Sequence, residues 1–189
     1  MSIEEDIQQA ISVLRAGGVI LYPTDTIWGI GCDATNAAAI QRVYQIKQRP
    51  DSKALICLVD SPNRLTPYVA GVPAVAWDLM DCNDKPLTII FDQGKNLPSC
   101  LLAEDGSIAM RVTHEQVSQQ LCYRFQKPIV STSANISGEP APQCFADISP
   151  ELINSVDYVM QSRRQEHRPQ HPSSIIKLTQ NAEITIIRP

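Results

Sequence analysis

The sequence lacks a long apolar run, closely paired cysteines and a secretory leader, and each absence excludes a class of protein. No apolar run approaches the roughly 20 residues of a membrane span. The N-terminal segment carries Glu4, Glu5 and Asp6, where a signal peptide would be basic and then apolar. The six cysteines are widely separated, never form a CxxC pair and mostly lie in apolar segments. We therefore expect buried free thiols in a cytoplasmic protein that does not enter a membrane.

Several common binding and catalytic motifs are also absent. The sequence contains no GxxxxGK(S/T) phosphate-binding loop, and no GxGxxG segment opens a helix after a strand. It has no GxSxG element, and His114 is the only histidine outside residues 161–172, which gives a serine triad little support. His167 and His171 are four residues apart, but Arg168 and two neighbouring prolines do not suit a zinc site, so we expect no metal ligands. The net charge of −4 excludes a global field that would attract nucleic acid.

The length and the apolar pattern predict one α/β domain over residues 1–189. A chain of 189 residues with 43% hydrophobic and 19% charged residues is ordinary for a soluble globular domain. Helices are predicted to begin after the caps Ser2, Asn36 and Ser149, and another carries Val117, Leu121 and Phe125 on one face. Strands are predicted at 19–22, 27–31, 55–59, 88–91, 108–112, 129–130, 158–160, 174–178 and 183–187. Because strands alternate with helices, we predict an open, twisted, mixed sheet flanked by helices.

Residues 127–138 run from a short apolar strand, Ile129-Val130, into three consecutive hydroxyl residues, Ser131-Thr132-Ser133. Asn135 and Gly138 follow them. In α/β proteins a buried strand delivers polar groups to its carboxyl end, where such sheets bind ligands. The same residue types also form ordinary turns and caps. This segment alone does not decide between a ligand site and a turn.

Residues 47–53 contain three cations, Lys47, Arg49 and Lys53. An arginine fork and two lysine point charges supply charge-assisted hydrogen bonds to phosphate. The alternative is a solvated helix end, because cations favour helix C-termini.

Arg111 interrupts an apolar strand between Met110 and Val112. An arginine there is costly to bury unless an anion meets it. Asp25 or Asp33 would be a structural partner, and the carboxylate of a substrate is the alternative.

Taken together, these segments resemble the YrdC-like family, the threonylcarbamoyl-adenylate synthases that act in the threonylcarbamoyl modification of tRNA adenosine. The matching segments are residues 22–33 (YPTDTIWGIGCD), 47–50 (KQRP), 107–112 (SIAMRV), 131–138 (STSANISG) and 172–175 (PSSI). They follow the order of the family and span most of the chain, so the set is far more specific than any one of them.

The resemblance implies a YrdC-like fold with a large concave, positively lined cavity. It implies a nucleotidyltransferase that joins L-threonine, bicarbonate or CO2, and ATP into threonylcarbamoyl-AMP and releases pyrophosphate. By this resemblance, threonine would be held by Thr26, Arg111, Ser131 and Ser173. ATP would be held by Lys47, Arg49, Lys53, Ser107, Ser133 and Asn135, with Lys47 and Arg49 as the catalytic cations. Mg²⁺ is expected to accompany ATP without a dedicated carboxylate cage, and tRNA or tRNA-modification proteins are expected as further partners.

Two other functions stay open at the level of sequence. One is a non-catalytic, RNA-binding member of the family that uses the concave surface without chemistry. The other is a carbamoyl-adenylate enzyme with a different acceptor. Departures from the family pattern, such as Asp84-Lys85-Pro86 where members usually carry a Gly-Pro element, are the reason to keep a member with an altered substrate as an alternative.

Overall fold

The computed structural model describes residues 1–48, 55–81, 85–166 and 172–189, and nine strands in these residues form one sheet. The strands are β1 (Ile20–Tyr22), β2 (Gly29–Gly31), β3 (Ile56–Val59), β4 (Leu87–Phe91), β5 (Ile108–Val112), β6 (Ile129–Ser133), β7 (Tyr158–Val159), β8 (Ser174–Leu178) and β9 (Ile184–Arg188). Their order across the sheet is β7-β1-β2-β6-β3-β5-β4-β8-β9. β1/β7, β3/β5 and β4/β8 are parallel pairs, and the other neighbours are antiparallel. The predicted open, mixed α/β sheet is confirmed.

Five α-helices accompany the sheet in the described residues, and most begin at the expected caps. They are α1 (Ile3–Arg15), α2 (Ala37–Ile46), α3 (Ala74–Asp81), α4 (Gln116–Phe125) and α5 (Pro150–Ser155). Short 3-10 helices lie at Pro62–Leu65, Ser99–Leu101 and Phe145–Asp147. Ser2 and Glu5 form a reciprocal capping box, Asn36 accepts from the N–H of Ala39, and Ser149 accepts from the N–H of Leu152.

The structure differs from the sequence prediction at β6 and α3. The strand β6 does not stop at Val130 but continues through Ser133, because Thr132 pairs with Ile30 and Ser133 pairs with Gly29 of β2. Pairing with neighbouring strands therefore overrides the turn preference of the hydroxyl residues. The helix α3 was not predicted, and no capping side chain marks its start.

Apolar cores cover both faces of the sheet. On one face α1 and α4 cover Leu58 of β3 and Ile129 of β6. Side chains two residues apart on a strand share a face, so Ile56 and Ser131 lie on this same face, where they line a cavity. The cavity therefore lies over the face of the sheet and includes the carboxyl end of β6, where Ser131 and Ser133 line it.

The cysteines behave as the spacing predicts within the described residues. Cys32, Cys57 and Cys122 are buried, Cys100 and Cys144 are partly buried, and none of these five forms a disulfide. Burial raises the pKa of the Cys57 thiol to about 12, so it stays protonated and unreactive at neutral pH. None of the described helices combines the length and the apolar character that a bilayer span requires.

Candidate functional site

A cavity of about 380 Å³ lies over a row of paired strand residues. Ile56 of β3 pairs with Ala109 of β5 on one side and with Ser131 of β6 on the other. Ile90 of β4 pairs with Ala109 in turn. Because directly paired residues point to the same face, these four side chains form a mostly apolar floor. The hydroxyl and charged residues that line the cavity are Thr26, Thr88, Arg111, Ser131, Thr132, Ser133, Ser173 and Arg188.

Arg111 carries the positive charge at one end of this floor. Its side chain is only 4% exposed, and its Nη2 lies 2.9 Å from Asp25 Oδ1. The same Nη2 donates to Thr26 Oγ1 at 3.1 Å. The contact with Asp25 is not aligned as a hydrogen bond, so Asp25 Oδ1 lacks a hydrogen-bond partner among the described residues. The Nε of Arg111 lacks one as well. A buried guanidinium with an unused N–H on a cavity wall can bind an anion.

Asp25 and Asp33 are the two candidate structural partners of Arg111, and the structure distinguishes them. Asp25 contacts Arg111, whereas Asp33 pairs with Lys127, whose Nζ lies 2.7 Å from Asp33 Oδ2. Burial raises the pKa of the Asp25 carboxyl, and the positive charge of Arg111 offsets only part of this effect. Arg111 therefore compensates the buried Asp25 carboxylate only in part.

Ser173 lies across the cavity from β6 and is held by two neighbours. Its Oγ is 2.8 Å from Thr88 Oγ1, and its carbonyl accepts from Arg188 Nε at 2.9 Å and from Arg188 Nη2 at 2.7 Å. Burial lowers the pKa of Arg188, and the positive charge of Arg111 lowers it further. Two arginines therefore act on the same cavity and favour an anionic ligand.

Sequence reasoning missed Arg188. It ends β9 and pairs with Ile175 of β8, a residue of the cavity wall. Arg188 closes an apolar strand, whereas Arg111 lies inside one, so the sequence gives only a weak signal for Arg188.

Lys47 lies behind the 133–135 segment rather than in solvent. It follows the last residue of α2, and its side chain is buried with 2% of the residue exposed. Its Nζ donates to the carbonyl of Ser133 and to the carbonyl of Asn135, the latter at 2.7 Å. The carbonyl of Lys47 accepts from the N–H of Ser137 at 2.9 Å. The solvated-end interpretation is wrong for Lys47, which fixes the backbone at the end of β6.

A family model described as "Telomere recombination", for the Sua5, YciO and YrdC proteins, matches residues 12–189. This chain belongs to the Sua5/YciO/YrdC family. Curated relatives named threonylcarbamoyl-AMP synthase agree with this assignment. The one from Vibrio cholerae O1 is 37% identical over 166 residues, which are 86% of this chain and 88% of the relative. The one from Pseudoalteromonas translucida is 37% identical over 161 residues, which are 84% and 86% of the two chains.

Solved structures of other Sua5/YciO/YrdC proteins share the fold. E. coli YciO is 29% identical with a TM-score of 0.84, and the match covers 99% of this chain and 89% of that one. P. abyssi Sua5 complexed with L-threonine is 23% identical with a TM-score of 0.87. That match covers all of this chain but only 55% of Sua5, so this chain spans little more than half of that protein.

Within this Sua5/YciO/YrdC fold, the predicted site residues fall into three groups. Thr26, Arg111, Ser131, Ser133 and Ser173 meet at the cavity wall.

The second group lies beside the cavity. Lys47 and Asn135 meet behind Ser133. Ser107 is buried just before β5, on the face of the strand that carries Arg111, and its N–H donates to Asp105 Oδ1 at 3.0 Å. Arg49 and Lys53 form the third group and lie outside the described residues. The ligand roles assigned to all three groups stay predictions.

Proposed function

We propose that this protein synthesises L-threonylcarbamoyl-AMP from L-threonine, bicarbonate or CO2, and ATP, as a nucleotidyltransferase for tRNA modification. The amino group of threonine forms a carbamate with bicarbonate and releases water. An oxygen of that carbamate then attacks the α-phosphorus of ATP, and the bond to pyrophosphate breaks. The name shared by the curated relatives and the threonine complex of P. abyssi Sua5 support this assignment.

The observation that carries the proposal is the buried Arg111 on the wall of a cavity with an apolar floor. A guanidinium with an unused N–H suits the α-carboxylate of an amino acid. Thr26, Ser131 and Ser173 place hydroxyl groups around the same space, where they orient the amino acid. The cavity of about 380 Å³ has the size of a small-molecule site.

The nucleotide is held where β6 ends. Ser133 and Asn135 lie on a backbone that Lys47 fixes through two carbonyls, and Ser107 extends the polar wall along β5. Arg49 and Lys53 complete the cationic set in this proposal. Attack of a carbamate on a phosphate needs alignment and charge neutralisation more than a proton-transfer pair.

Mg²⁺ enters this scheme with the nucleotide. Among the described residues, no group of three or more His, Cys, Asp or Glu side chains could hold a metal ion. The cavity wall offers hydroxyls and arginines, so the ligands of Mg²⁺ would be phosphate oxygens and water. We also propose that the protein acts in the cytoplasm, as one domain, alongside tRNA-modification proteins.

The test is pyrophosphate release from purified protein with each substrate omitted in turn. We expect release only when ATP, bicarbonate and L-threonine are all present. Arg111→Ala should remove most turnover, because the substrate carboxylate loses its counter-charge. Arg64→Ala is the matched control, since Arg64 pairs with Asp60 at 3.0 Å and does not line the cavity. Folded protein that releases no pyrophosphate with threonine would refute the proposal, and activity with carbamoyl phosphate instead would indicate a different acceptor.

A further inference from the structure

Arg163 does not line the cavity, but it contacts the turn after β1, whose residue Thr26 does. Its side chain is 19% exposed, and its Nη1 donates to the carbonyl of Thr24 at 2.9 Å. Its Nε donates to Glu166 Oε2 at 2.9 Å, and its Nη1 lies 3.4 Å from Glu115 Oε1. One guanidinium therefore bridges the turn after β1, the start of α4 and the segment after β7.

The turn that Arg163 holds leads directly to Arg111. Thr24 Oγ1 lies 3.0 Å from Thr26 Oγ1 and accepts from the N–H of Thr26 at 3.1 Å. Thr26 Oγ1 in turn accepts from Arg111 Nη2 at 3.1 Å. Asp25, the other neighbour of Arg111, lies in the same turn. A shift of the turn at Thr24 would thus move both groups that fix the guanidinium in the cavity.

Glu115 adds an electrostatic link. It caps α4 by accepting from the N–H groups of Val117 and Ser118 at 3.0 and 2.8 Å, so its position is fixed. Its negative charge reaches the site, because it raises the pKa of Asp25 beyond the effect of burial. Arg163 lies against Glu115 and offsets this charge.

The backbone at Arg163 is itself held in an unfavourable conformation. Its φ of 63° lies in the left-handed region, which residues other than glycine adopt at a cost. The side-chain contacts of Arg163 with Thr24, Glu115 and Glu166 oppose relaxation of this turn.

We propose that Arg163 is a positioning residue for the binding of the substrate carboxylate. It holds the turn from Thr24 to Thr26, so that Asp25 and Thr26 keep Arg111 directed into the cavity, and it prevents Glu115 from weakening the positive potential there. This inference rests on the proposed function, since the carboxylate is that of L-threonine. It assigns Arg163 no contact with either substrate.

The test compares the kinetics of Arg163→Met with those of the wild-type enzyme. We expect the KM for L-threonine to rise about tenfold, as for the loss of one charge-assisted interaction. The KM for ATP should stay within about twofold, because the 133–135 segment does not contact Arg163. Arg124→Met is the matched control. Arg124 pairs with Glu4 at 3.2 Å, does not line the cavity and should leave both KM values near those of the wild type.

A second variant covers the case in which Arg163→Met folds poorly. Arg163→Lys keeps a positive charge between Glu115 and Glu166 but cannot span Thr24 and Glu166 as a fork does. We expect a melting temperature near that of the wild type and a KM for L-threonine still raised about fivefold. An unchanged KM in Arg163→Lys would overturn the proposal, and so would equal rises in the two KM values of Arg163→Met. A wild-type protein without threonine-dependent turnover would instead refute the proposed function.

Discussion

Replacing Arg111 with methionine should destabilise the fold in a pH-dependent way, because it leaves the Asp25 carboxylate buried without a counter-charge. The two side chains are 4% and 10% exposed. Breaking such a buried pair costs about 3–5 kcal/mol. For a chain of this size, that corresponds to a fall in melting temperature of roughly 6–20 °C.

The pH dependence follows from the direction of the shift at Asp25. Burial raises the pKa of Asp25 in the folded state, so the protonated carboxyl is favoured by folding. The protonated Asp25 therefore stabilises the folded state below the ordinary pKa of 3.8, and this stabilisation is lost as the pH rises through the folded-state pKa of Asp25. Removing Arg111 raises the folded-state pKa further. The loss of stability in Arg111→Met should therefore be smaller at about pH 5 than at about pH 8.

The assay is urea unfolding of the wild type, Arg111→Met, Asp25→Asn and the double variant at both pH values. We expect a coupling energy between the two sites of about 2 kcal/mol at the higher pH, with part of the stability restored in the double variant. Arg64→Met is the control, because its pair with Asp60 is more exposed and should contribute less than about 1 kcal/mol. Equal losses at both pH values, together with no coupling, would refute this account.

Other predictions concern the segments around the site. Lys47→Met leaves two partly buried carbonyls without their ammonium donor and should cost about 2–4 kcal/mol in urea unfolding; a loss below about 1 kcal/mol would contradict this role. Gly31→Ala should cost about 1–3 kcal/mol by thermal unfolding, because its Cβ would lie 2.6 Å from the Tyr22 ring, and an unchanged melting temperature would argue against such close packing. At Asp6, burial raises the pKa of the carboxyl, but hydrogen bonds, first that from Ser162, outweigh this and lower it. Its stabilising effect is present above the ordinary pKa of 3.8 and is lost as the pH falls through the folded-state value, so Asp6→Asn should flatten the acid limb of a stability profile.

The parts of the fold set by local interactions were predictable from the sequence. The capping box at Ser2 and Glu5 and the cap at Asn36 depend only on residues within one turn of a helix. The strand around Arg111 was also predictable, because a continuous apolar run is typical of a strand that is buried on both faces, as β5 is.

The features that the sequence did not predict depend on pairing between segments that are distant in the chain. The hydroxyl run after Val130 stays in β6 because β2 pairs with it, about one hundred residues away in the chain. Likewise, the choice of Asp25 over Asp33 as the neighbour of Arg111 depends on which turn the sheet order brings to β5. The β8/β9 hairpin is local, but Arg188 reaches the cavity because β8 also pairs with the distant strand β4.

The wall of the cavity is assembled from strands that are remote in the chain, with Thr26 after β1, Arg111 in β5, Ser131 in β6 and Ser173 before β8. No fragment of the chain holds the whole set, so a ligand that touches all four is linked to the global unfolding of the sheet rather than to the opening of one loop. Occupancy should therefore slow amide hydrogen exchange in β1, β5, β6 and β8 together, including amides far from any ligand atom.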